Sequence, residues 1–414
     1  MTLQPATLNQ LDSTSYLECD LAIVGGGIAG TTLALALKES GLKIKIIESQ
    51  TLEKVACRER AYALSLLSGR IFNGIGIWSK ILPEISKFNY IFLSDADFSE
   101  VVKFKSTDLK TDSLGYVGEH KVILDILQNE TVKYPNIQLL SSTKVVKLDT
   151  EKSKSIVNIE KDDIAYKLRA KLVVGADGPL SFVRSSAEIK TQGWKYWQSC
   201  LTFIIKHQAS RNDIAFERFW YTGPLAILPL PNNRCQIVWT LPHAQAKALH
   251  DLEDTEFLAQ LKTHIPKLLG SITLMNNRSL FPVQLMQSKN YIQPRLALVG
   301  DAAHCCHPVG GQGLNLGIRD VAVLAEILEK AWAKGEDIGS QRLLKEYESL
   351  RRRENWIILG FTDFLDRLFS NNYFLLVLMR RFGLVVINQI PLLKNNVLRL
   401  MTGLSGKQPI LSKK

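Results

Sequence analysis

The chain has 414 residues, of which 46% are hydrophobic and 22% are charged, so it is neither disordered nor fibrous and can build a large core. This length predicts two interlocked domains rather than a string of small modules. The formal net charge of +11 favours anionic partners, but the cations form no basic stripe and no zinc-finger spacing is present. We therefore expect no nucleic-acid partner, whereas an anionic membrane surface stays open.

The N-terminal segment MTLQPATLNQLDSTSYLECD has no basic start followed by an apolar run, so it does not predict a secretory signal. Six cysteines are too few for a disulfide scaffold and favour a reducing compartment. No segment reaches the roughly 18 consecutive apolar residues expected of a membrane-spanning helix. We expect a cytoplasmic protein that could meet a membrane only from one side, at its inner face.

A strand, helix, strand unit opens the ordered part of the chain. Residues 21–25 (LAIVG) form a short apolar run that glycines stop, residues 28–40 have the composition of a buried helix, and residues 44–48 (IKIIE) predict a second strand. This order is typical of a nucleotide-binding sheet.

Further along, a helix is predicted near residues 64–75, and the middle of the chain turns to short strands. These are predicted at residues 145–148, 156–160, 168–175, 199–206, 225–230 and 236–241. The last three are rich in β-branched and aromatic residues and predict an antiparallel sheet that forms a roof over a ligand. Another buried strand (296–300), a glycine-rich loop and a helix (315–333) follow, and residues 343–414 are mostly helical.

The first glycine motif is GGGIAG at residues 25–30. Gly25 allows a tight turn, Gly27 lets the backbone approach a pyrophosphate, and Gly30 lets helix and strand pack closely. Glu48 ends the second strand, where a carboxylate can accept hydrogen bonds from ribose hydroxyls and would repel a 2′-phosphate. FAD or NAD therefore fits this motif better than NADP.

The second motif, residues 300–315, favours FAD over NAD. Asp301 lies at a strand end and suits a ribityl hydroxyl, and residues 308–313 can bring bare backbone against a flat ring. The helix that begins near Asn315 points its positive end at the same place, where it would stabilise the negative charge of a reduced flavin. NAD needs no such second site.

Four familiar metal ligands, His304, Cys305, Cys306 and His307, are adjacent in this motif. Neighbouring residues on a short segment rarely converge on one tetrahedral ion, and no distant CxxC or HxxxH supplies further ligands. We expect no metal and predict that these residues pack beside the cofactor.

Four stretches together resemble the signatures of FAD-dependent aromatic hydroxylases. They are GGGIAG (25–30), RAYALS (60–65), VVGADGPLSFVR (173–184) and ALVGDAAHCCHPVGGQGLNLGIRD (297–320). Within that group, TGPLAILPLP (222–231) and the run that begins PVGGQG are similar to the branch that hydroxylates polyprenyl phenols for ubiquinone. The likeness covers nearly the whole chain and is more specific for fold and cofactor than for substrate.

The resemblance implies an α/β (α+β composite) fold in which a Rossmann-like FAD-binding domain is interleaved with an antiparallel β-sheet substrate domain and followed by a helical C-terminus. The FAD-binding domain would comprise residues 1–80, 116–190 and 286–340. The substrate-binding sheet would comprise residues 81–115 and 191–285, and residues 341–414 would form the C-terminal helical region.

The resemblance also implies roles for individual residues. Gly25, Gly27, Gly30 and Glu48 would hold the ADP half of FAD, with Arg60 reaching the cofactor from the next loop. Asp177 and Gly178 would lie near the pyrophosphate and help NAD(P)H engage, and Asp301 would bind the ribityl chain. The isoalloxazine ring would be bordered by Pro308, Gly311, Gln312, Gly313 and Asn315. Lys121 stands where relatives commonly carry arginine, so a bidentate contact there is in doubt.

The reaction implied is hydroxylation of a prenylated phenol with NAD(P)H and O2 through a flavin C4a-hydroperoxide. No catalytic base can be named, since Tyr221, His243 and His207 are only polar candidates, and Trp194, Trp197 and Trp220 could line an apolar pocket. Apolar and cationic residues alternate between 374 and 400, which suits either a membrane surface or a core cap and dimer interface. A flavin-dependent reductase or dehydrogenase of a prenyl lipid, or a non-catalytic flavoprotein subunit of a biosynthetic complex, remains an alternative.

Overall fold

A computed structural model of the chain describes residues 16–95, 98 and 101–413. The prediction about an N-terminal signal therefore falls mostly on residues outside this range. The strands are β1 (Tyr16–Val24), β2 (Ile44–Ile47), β3 (Ala61–Ser65), β4 (Ser86–Phe88), β5 (Tyr90–Asp95), β6 (Val101–Lys105), β7 (Gly115–Glu119), β8 (Ile137–Leu140), β9 (Lys144–Thr150), β10 (Ser155–Lys161), β11 (Ile164–Gly175), β12 (Thr191–His207), β13 (Ile214–Trp220), β14 (Gly223–Leu230), β15 (Arg234–Pro242), β16 (Ile272–Leu274), β17 (Ser279–Ser288), β18 (Ile292–Gln293), β19 (Leu296–Leu298) and β20 (His304–Cys305).

Helices alternate with these strands and dominate the C-terminal part of the chain. They are α1 (Ile28–Ala36), α2 (Leu52–Ala56), α3 (Leu66–Ile75), α4 (Trp78–Ile81), α5 (Ser106–Leu109), α6 (His120–Thr131), α7 (Phe182–Ser186), α8 (His243–Asp251), α9 (Asp254–His264), α10 (Gly313–Ala333), α11 (Gln341–Phe369), α12 (Phe374–Gln389) and α13 (Pro391–Met401).

The first sheet has the strand order β18-β19-β11-β1-β2-β8, and its strands from β19 to β8 are parallel. Its central strands are almost wholly apolar and buried, as expected of parallel strands that are covered on both faces. Successive connections run to opposite sides of β1, so the topological switch point lies between β1 and β11. Ligands bind at such a point, at the carboxyl ends of the strands.

The second sheet has the order β20-β17-β12-β15-β14-β13-β5-β6, with β16 beside β12. Every pairing is antiparallel except that of β13 with β5. Helices α8 and α9 cover one face through an apolar cluster that includes Phe203, Trp239 and Phe257. The opposite face meets the 309–311 turn and the C-terminal helices. A third sheet, β3-β7-β4, lies where the two larger sheets meet.

This architecture confirms the predicted composite of a Rossmann-like sheet, an antiparallel sheet and a helical C-terminus, although several element bounds differ. Residues 64 and 65 belong to strand β3 rather than to a helix, because β3 pairs with β7 and Ser65 then caps α3. Helix α1 ends at Ala36, four residues before the predicted end, and α10 begins two residues earlier than predicted, at Gly313.

Within the described part of the chain, no single helix is both long and apolar enough to cross a membrane. Helices α12 and α13 reach that length and composition only as a pair, and the break between them bends by 101°.

Candidate active site

The two outer glycines of the first motif are required by packing. Gly25 has a φ of +109°, and a Cβ there would lie 2.4 Å from the carbonyl oxygen of Ala176, which follows β11. A Cβ on Gly30 would lie 2.0 Å from the Gly25 carbonyl oxygen. These contacts hold β1, α1 and β11 together at the switch point, so both positions exclude any side chain.

Gly27 differs from them, because no atom of the protein lies within 4 Å of the place where its Cβ would stand. It is the N-cap of α1, and no side chain caps that helix. The first amides of α1 therefore face open space with the positive end of the helix dipole, which is the geometry of an anion-binding helix terminus.

Glu48 is buried beside this open space and is held by three donors. Its Oε2 accepts a hydrogen bond from the Gly26 N–H at 2.8 Å, and its Oε1 accepts from the Gln50 N–H at 2.9 Å and from the Ser49 hydroxyl at 3.3 Å. The carboxylate is thus fixed next to the glycine turn, at the carboxyl end of β2.

Asp301, Arg60 and Tyr62 come together at the carboxyl end of β19. Asp301 is accessible to solvent, but protein atoms surround it, as in a cleft. These surroundings raise the pKa of its carboxyl by desolvation, and His304 and Arg60 oppose the rise. Burial also raises the pKa of the Tyr62 hydroxyl, and Arg60 lowers it. Arg60 also stacks over the Phe281 ring at 5.4 Å, which connects this group to the second sheet.

The glycine loop after β20 is fastened by Asn315. Its side-chain oxygen accepts hydrogen bonds from the Ser65 N–H and the Ser68 hydroxyl, and its side-chain NH2 donates to the Ala63 and Gly311 carbonyls, all between 2.7 and 2.8 Å. Asn315 therefore positions the loop rather than offering a free polar group, because all four of these bonds are internal.

The backbone of the same loop adopts a conformation that favours glycine at two positions. Gly310 and Gly311 have φ values of +69° and +60°, which side chains rarely adopt. Gln312 donates to the Gly310 and Met401 carbonyls, but its buried Oε1 has no hydrogen-bond partner among the described residues. Pro308 begins the turn, and Gly313 is the first residue of α10. An unpartnered acceptor, bare backbone and a helix N-terminus thus meet at one place.

Asp177 and Gly178 follow β11, next to the first glycine turn. Asp177 accepts hydrogen bonds from the Ser181 hydroxyl at 2.6 Å and the Val183 N–H at 3.1 Å, so it caps α7. Gly178 has a φ of +84° and open space around it. Lys121 lies in the first turn of α6, where its exposed ammonium pairs with Asp125 at 2.8 Å.

Of the four adjacent histidines and cysteines, the two histidines contact different carboxylates. His304 contacts Asp320 at 2.6 Å, and His307 lies 3.4 Å from Asp366. Among the residues with described positions, no group of three or more His, Cys, Asp or Glu side chains could hold a metal ion.

A buried polar cluster, which the sequence did not predict, holds the backbone next to Asp301 in place. Asp320 on α10 accepts from the Gly300 N–H at 3.1 Å, from Arg351 at 2.8 Å and from Asn355 at 3.0 Å. Burial acts to raise the pKa of Asp320, but His304 and Arg351 together with these hydrogen bonds hold it down at about 2. The signal in the sequence was the charged pair Arg319-Asp320 inside an otherwise apolar helix.

Glu48 and Asp301 follow β2 and β19, which are three strand positions apart in the parallel sheet, about 14 Å at the usual spacing of ~4.8 Å. Both lie at the same edge of that sheet. One extended dinucleotide can reach across that distance. The open approach at Gly27, the accessible Asp301 carboxylate and the open backbone at Gly310 fit FAD.

The polar residues considered as catalytic bases lie elsewhere. His207 is bound to Asn212 at 3.0 Å, His243 contacts the Ser199 hydroxyl at 2.7 Å, and Tyr221 is half exposed in a turn. Trp220 packs on the face of the second sheet covered by α8 and α9, while Trp194 and Trp197 are exposed. None of these side chains faces the glycine loop.

Comparison with known proteins agrees with this geometry. Residues 18–362 match the FAD binding domain family. The ubiquinone hydroxylase UbiL of Rhodospirillum rubrum is 34% identical over 95% of this chain and 92% of its own length. The 3-demethoxyubiquinol 3-hydroxylase of Escherichia coli is 33% identical over 93% of this chain and 98% of its own length.

The crystal structure of the p-nitrophenol 4-monooxygenase PnpA from Pseudomonas putida has the same fold. It superposes with a TM-score of 0.80 at 18% identity and covers 93% of this chain and 99% of its own. The chain belongs to the FAD binding domain family. This membership confirms FAD as the cofactor and an FAD-dependent monooxygenase as the class of enzyme.

Proposed function

We propose that the protein hydroxylates the aromatic ring of a polyprenylated phenol in quinone biosynthesis, with FAD, NAD(P)H and O2. The observation that carries this proposal is the pair of open backbone sites at Gly27, which follows β1 of the parallel sheet, and at Gly310, in the loop after β20. The names of the two relatives, both ubiquinone-pathway hydroxylases over nearly the whole chain, support the choice of substrate.

Bound FAD supplies the chemistry that activates O2 with electrons from NAD(P)H. The chain contributes binding and orientation. Gly27 and the first turn of α1 hold the pyrophosphate, Glu48 the adenosine ribose and Asp301 the ribityl chain. Arg60 provides a cation beside Asp301, and Asp177 with Gly178 forms the edge that NAD(P)H approaches.

The loop from Pro308 to Gly313 borders the isoalloxazine ring. Gly310 leaves open space beside the backbone, Gly311 packs against Ala63, Gln312 offers its unpartnered oxygen, and Asn315 holds the loop in place. One face of the antiparallel sheet packs against this loop through Val309, so that sheet would cover the ring. In this scheme the sheet and the C-terminal helices exclude water and bind the phenol, in line with the division into an FAD-binding domain, a substrate domain and a helical region.

The C-terminal helices would deliver the substrate from an anionic membrane surface. On α12, Phe374, Leu375, Leu378, Met379 and Phe382 are 49 to 77% exposed. They recur at helical spacing on one side, while Arg380 and Leu384 on the other side are buried. A stripe of this size on the surface suits contact with lipid.

Aromatic residues frame this stripe. Trp194 and Trp197 are 40% and 49% exposed, and Tyr221 is 49% exposed. Arg367 stacks over the Trp194 ring at 5.0 Å, and the Gln198 side chain connects the turn after Tyr221 to Ser370 at the end of α11. Exposed Trp and Tyr residues are typical of a membrane interface, and the net charge of +11 suits anionic headgroups.

The function is tested with purified protein, NAD(P)H, labelled oxygen gas and a 2-polyprenylphenol in mild detergent. We expect flavin absorbance, NAD(P)H oxidation stimulated by the phenol and one labelled oxygen atom in the product. Conversion of the substrate without label would identify a reductase or dehydrogenase. Flavin binding with no turnover of any phenol would identify a non-catalytic subunit, and either result would overturn the proposal.

A further inference from the structure

A buried carboxylate, Glu217 on β13, faces the glycine loop and has no role in the site as described so far. It is 8% exposed, and its Oε1 has no hydrogen-bond partner among the described residues. The N–H of Gly310 donates a hydrogen bond to the carboxylate. Within the described part of the chain, the hydrogen bond that the Glu217 carboxylate accepts therefore comes from the loop proposed to border the isoalloxazine ring.

The register of the sheet fixes the direction in which Glu217 points. Ala215 and Phe219, two residues before and after it, belong to an apolar cluster with the loop and the C-terminal helices, so alternation along the strand places Glu217 on the same face. Phe216 lies in the cluster on the opposite face. The same cluster includes Val309 of the loop, Phe369 of α11, Leu384 of α12 and Leu398 of α13.

An unpaired carboxylate in such surroundings is costly, because burial disfavours its charged form. Burial raises the pKa of Glu217 from its ordinary value of 4.5 to about 7, and the Gly310 hydrogen bond opposes this rise only in part. No charged side chain contributes to the shift. The charged groups on the elements packed around this face pair with one another: Asp95 with Arg380 and Arg381, His307 with Asp366, and Lys394 with Asp108.

We propose that Glu217 is a catalytic residue, which accepts the hydrogen bond of the substrate's phenolic hydroxyl through Oε1 and removes its proton. This inference rests on the proposed function. It assigns the base that the chemistry of a phenol requires, and it places the phenolic hydroxyl beside Oε1, next to the point where β13 meets the loop at Gly310.

The step balances in protons and electrons. The proton moves from the phenolic oxygen to Oε1, and the bonding pair stays on that oxygen, which raises the electron density at the ortho and para carbons. After oxygen is transferred to the ring, the attacked carbon releases its hydrogen as a proton to solvent. The Glu217 carboxylic acid returns its proton to the original phenolic oxygen, and the ring becomes aromatic again. Glu217 is unchanged after each turnover, and O2 and NAD(P)H supply the oxygen atom and the electrons.

The test compares Glu217→Gln with a matched control, Glu130→Gln. Glu130 is also a buried carboxylate, 7% exposed, but it pairs with Lys80 and Lys133 on the far side of the first sheet. Both variants should bind FAD and fold like the parent protein, as judged by flavin absorbance and circular dichroism. With a 2-polyprenylphenol, E217Q should lose 100-fold or more in the rate of hydroxylation, the usual size of a general-base contribution, whereas E130Q should stay within threefold.

The pH profile separates catalysis from a structural role. The parent protein and E130Q should gain kcat/KM as the pH rises through about 7, and E217Q should lack this limb. In infrared difference spectra of the FAD-loaded protein without substrate, a carboxylic C=O band should disappear as the pH rises through about 7, and E217Q should lack this band. Two results would overturn the role of Glu217 alone. One is hydroxylation by E217Q within threefold of the parent rate and with the same rise of kcat/KM with pH. The other is the absence of the carboxylic C=O band from the spectra of the parent. Failure of the parent to hydroxylate any polyprenylphenol overturns the proposed function as well.

Discussion

At the scale of single residues, Gly25, Gly27 and Gly30 of the first motif have different roles. Side chains at Gly25 and Gly30 would collide with backbone, whereas a side chain at Gly27 would enter open space. Cofactor binding and folding can therefore be separated by mutation within six consecutive residues.

We expect Gly27→Val to leave the stability of the FAD-free protein nearly unchanged and to weaken FAD binding at least tenfold. The φ of Gly27 is −74°, which any residue adopts, but the new side chain would stand where the pyrophosphate approaches the backbone. Titration of the FAD-free protein with FAD, followed by flavin fluorescence, measures the affinity. As a control, Gly25→Ala should reduce the yield of folded protein, and tight FAD binding by G27V would contradict the assignment.

A second expectation at this scale concerns how stability depends on pH through Glu217. Because the pKa of this carboxyl is raised from 4.5 to about 7 in the folded state, the folded protein holds the proton more tightly than the unfolded chain. Its stability should therefore fall as the pH rises from about 4.5 to about 7, by up to about 1.4 kcal/mol per pH unit.

Urea unfolding of the parent protein and E217Q at pH 5, 6, 7 and 8 measures this effect. The free energy of unfolding of E217Q should rise relative to the parent across that series and level off above pH 7. A difference that does not change with pH would show that the carboxyl does not titrate in this window.

The sequence was sufficient to identify glycines that a tight turn requires and carboxylates that directly follow predicted strands. Gly25, Glu48 and Asp301 come just after strands that the apolar runs already marked, and Gly27 and Gly30 lie at the start of the helix that follows the first of them. Asn315 was predicted to border the ring, but its four hydrogen bonds hold the loop in place. Glu217 was missed, because only the register of β13 against β14 and β5 shows which face it occupies.

At the scale of elements, periodicity identified the parallel strands and the long helix α10 to within a few residues. It failed at β3, where a run that suits a helix pairs instead with β7, because tertiary contacts outweigh local preference in a five-residue segment. The strand order of both large sheets depends on contacts between distant segments and could not be read from local patterns.

The apolar stripe on α12 leads to a prediction about membrane binding by a single helix. Replacing Leu375, Leu378 and Phe382 by serine together should weaken binding to vesicles of anionic phospholipid at least tenfold, because apolar area that would enter the lipid is lost. Hydroxylation of a short, water-soluble phenol should change little. Co-sedimentation with vesicles measures binding.

Serine replacements at Leu268 and Met275, which are 52% and 50% exposed on the second sheet's α9 side, provide the matched control. If instead the α12 variant binds vesicles normally and sediments as a smaller species than the parent, the stripe is an interface between two copies of the chain.

For the whole molecule, FAD should act as a non-covalent cross-link between segments that are far apart in the chain. Its proposed contacts come from residues 25–60, 177–178 and 301–315, so binding ties together elements that fold around it. Free FAD at a hundredfold excess over its dissociation constant should stabilise the protein by about 2.7 kcal/mol. Thermal unfolding at a series of FAD concentrations measures this, and a melting temperature independent of FAD would contradict it.

The interleaved sheets also limit how this molecule can be divided or recombined. Strand β20 follows Asp301 within the nucleotide half, yet it pairs with β17 of the antiparallel sheet, and β17 in turn pairs with β12 along most of its length. Neither half has a complete hydrogen-bonded edge without the other. An engineer who transplants the antiparallel sheet from a relative to alter specificity must therefore move β20 and its glycine loop along with it, and the two halves expressed as separate polypeptides would each expose an unpaired strand.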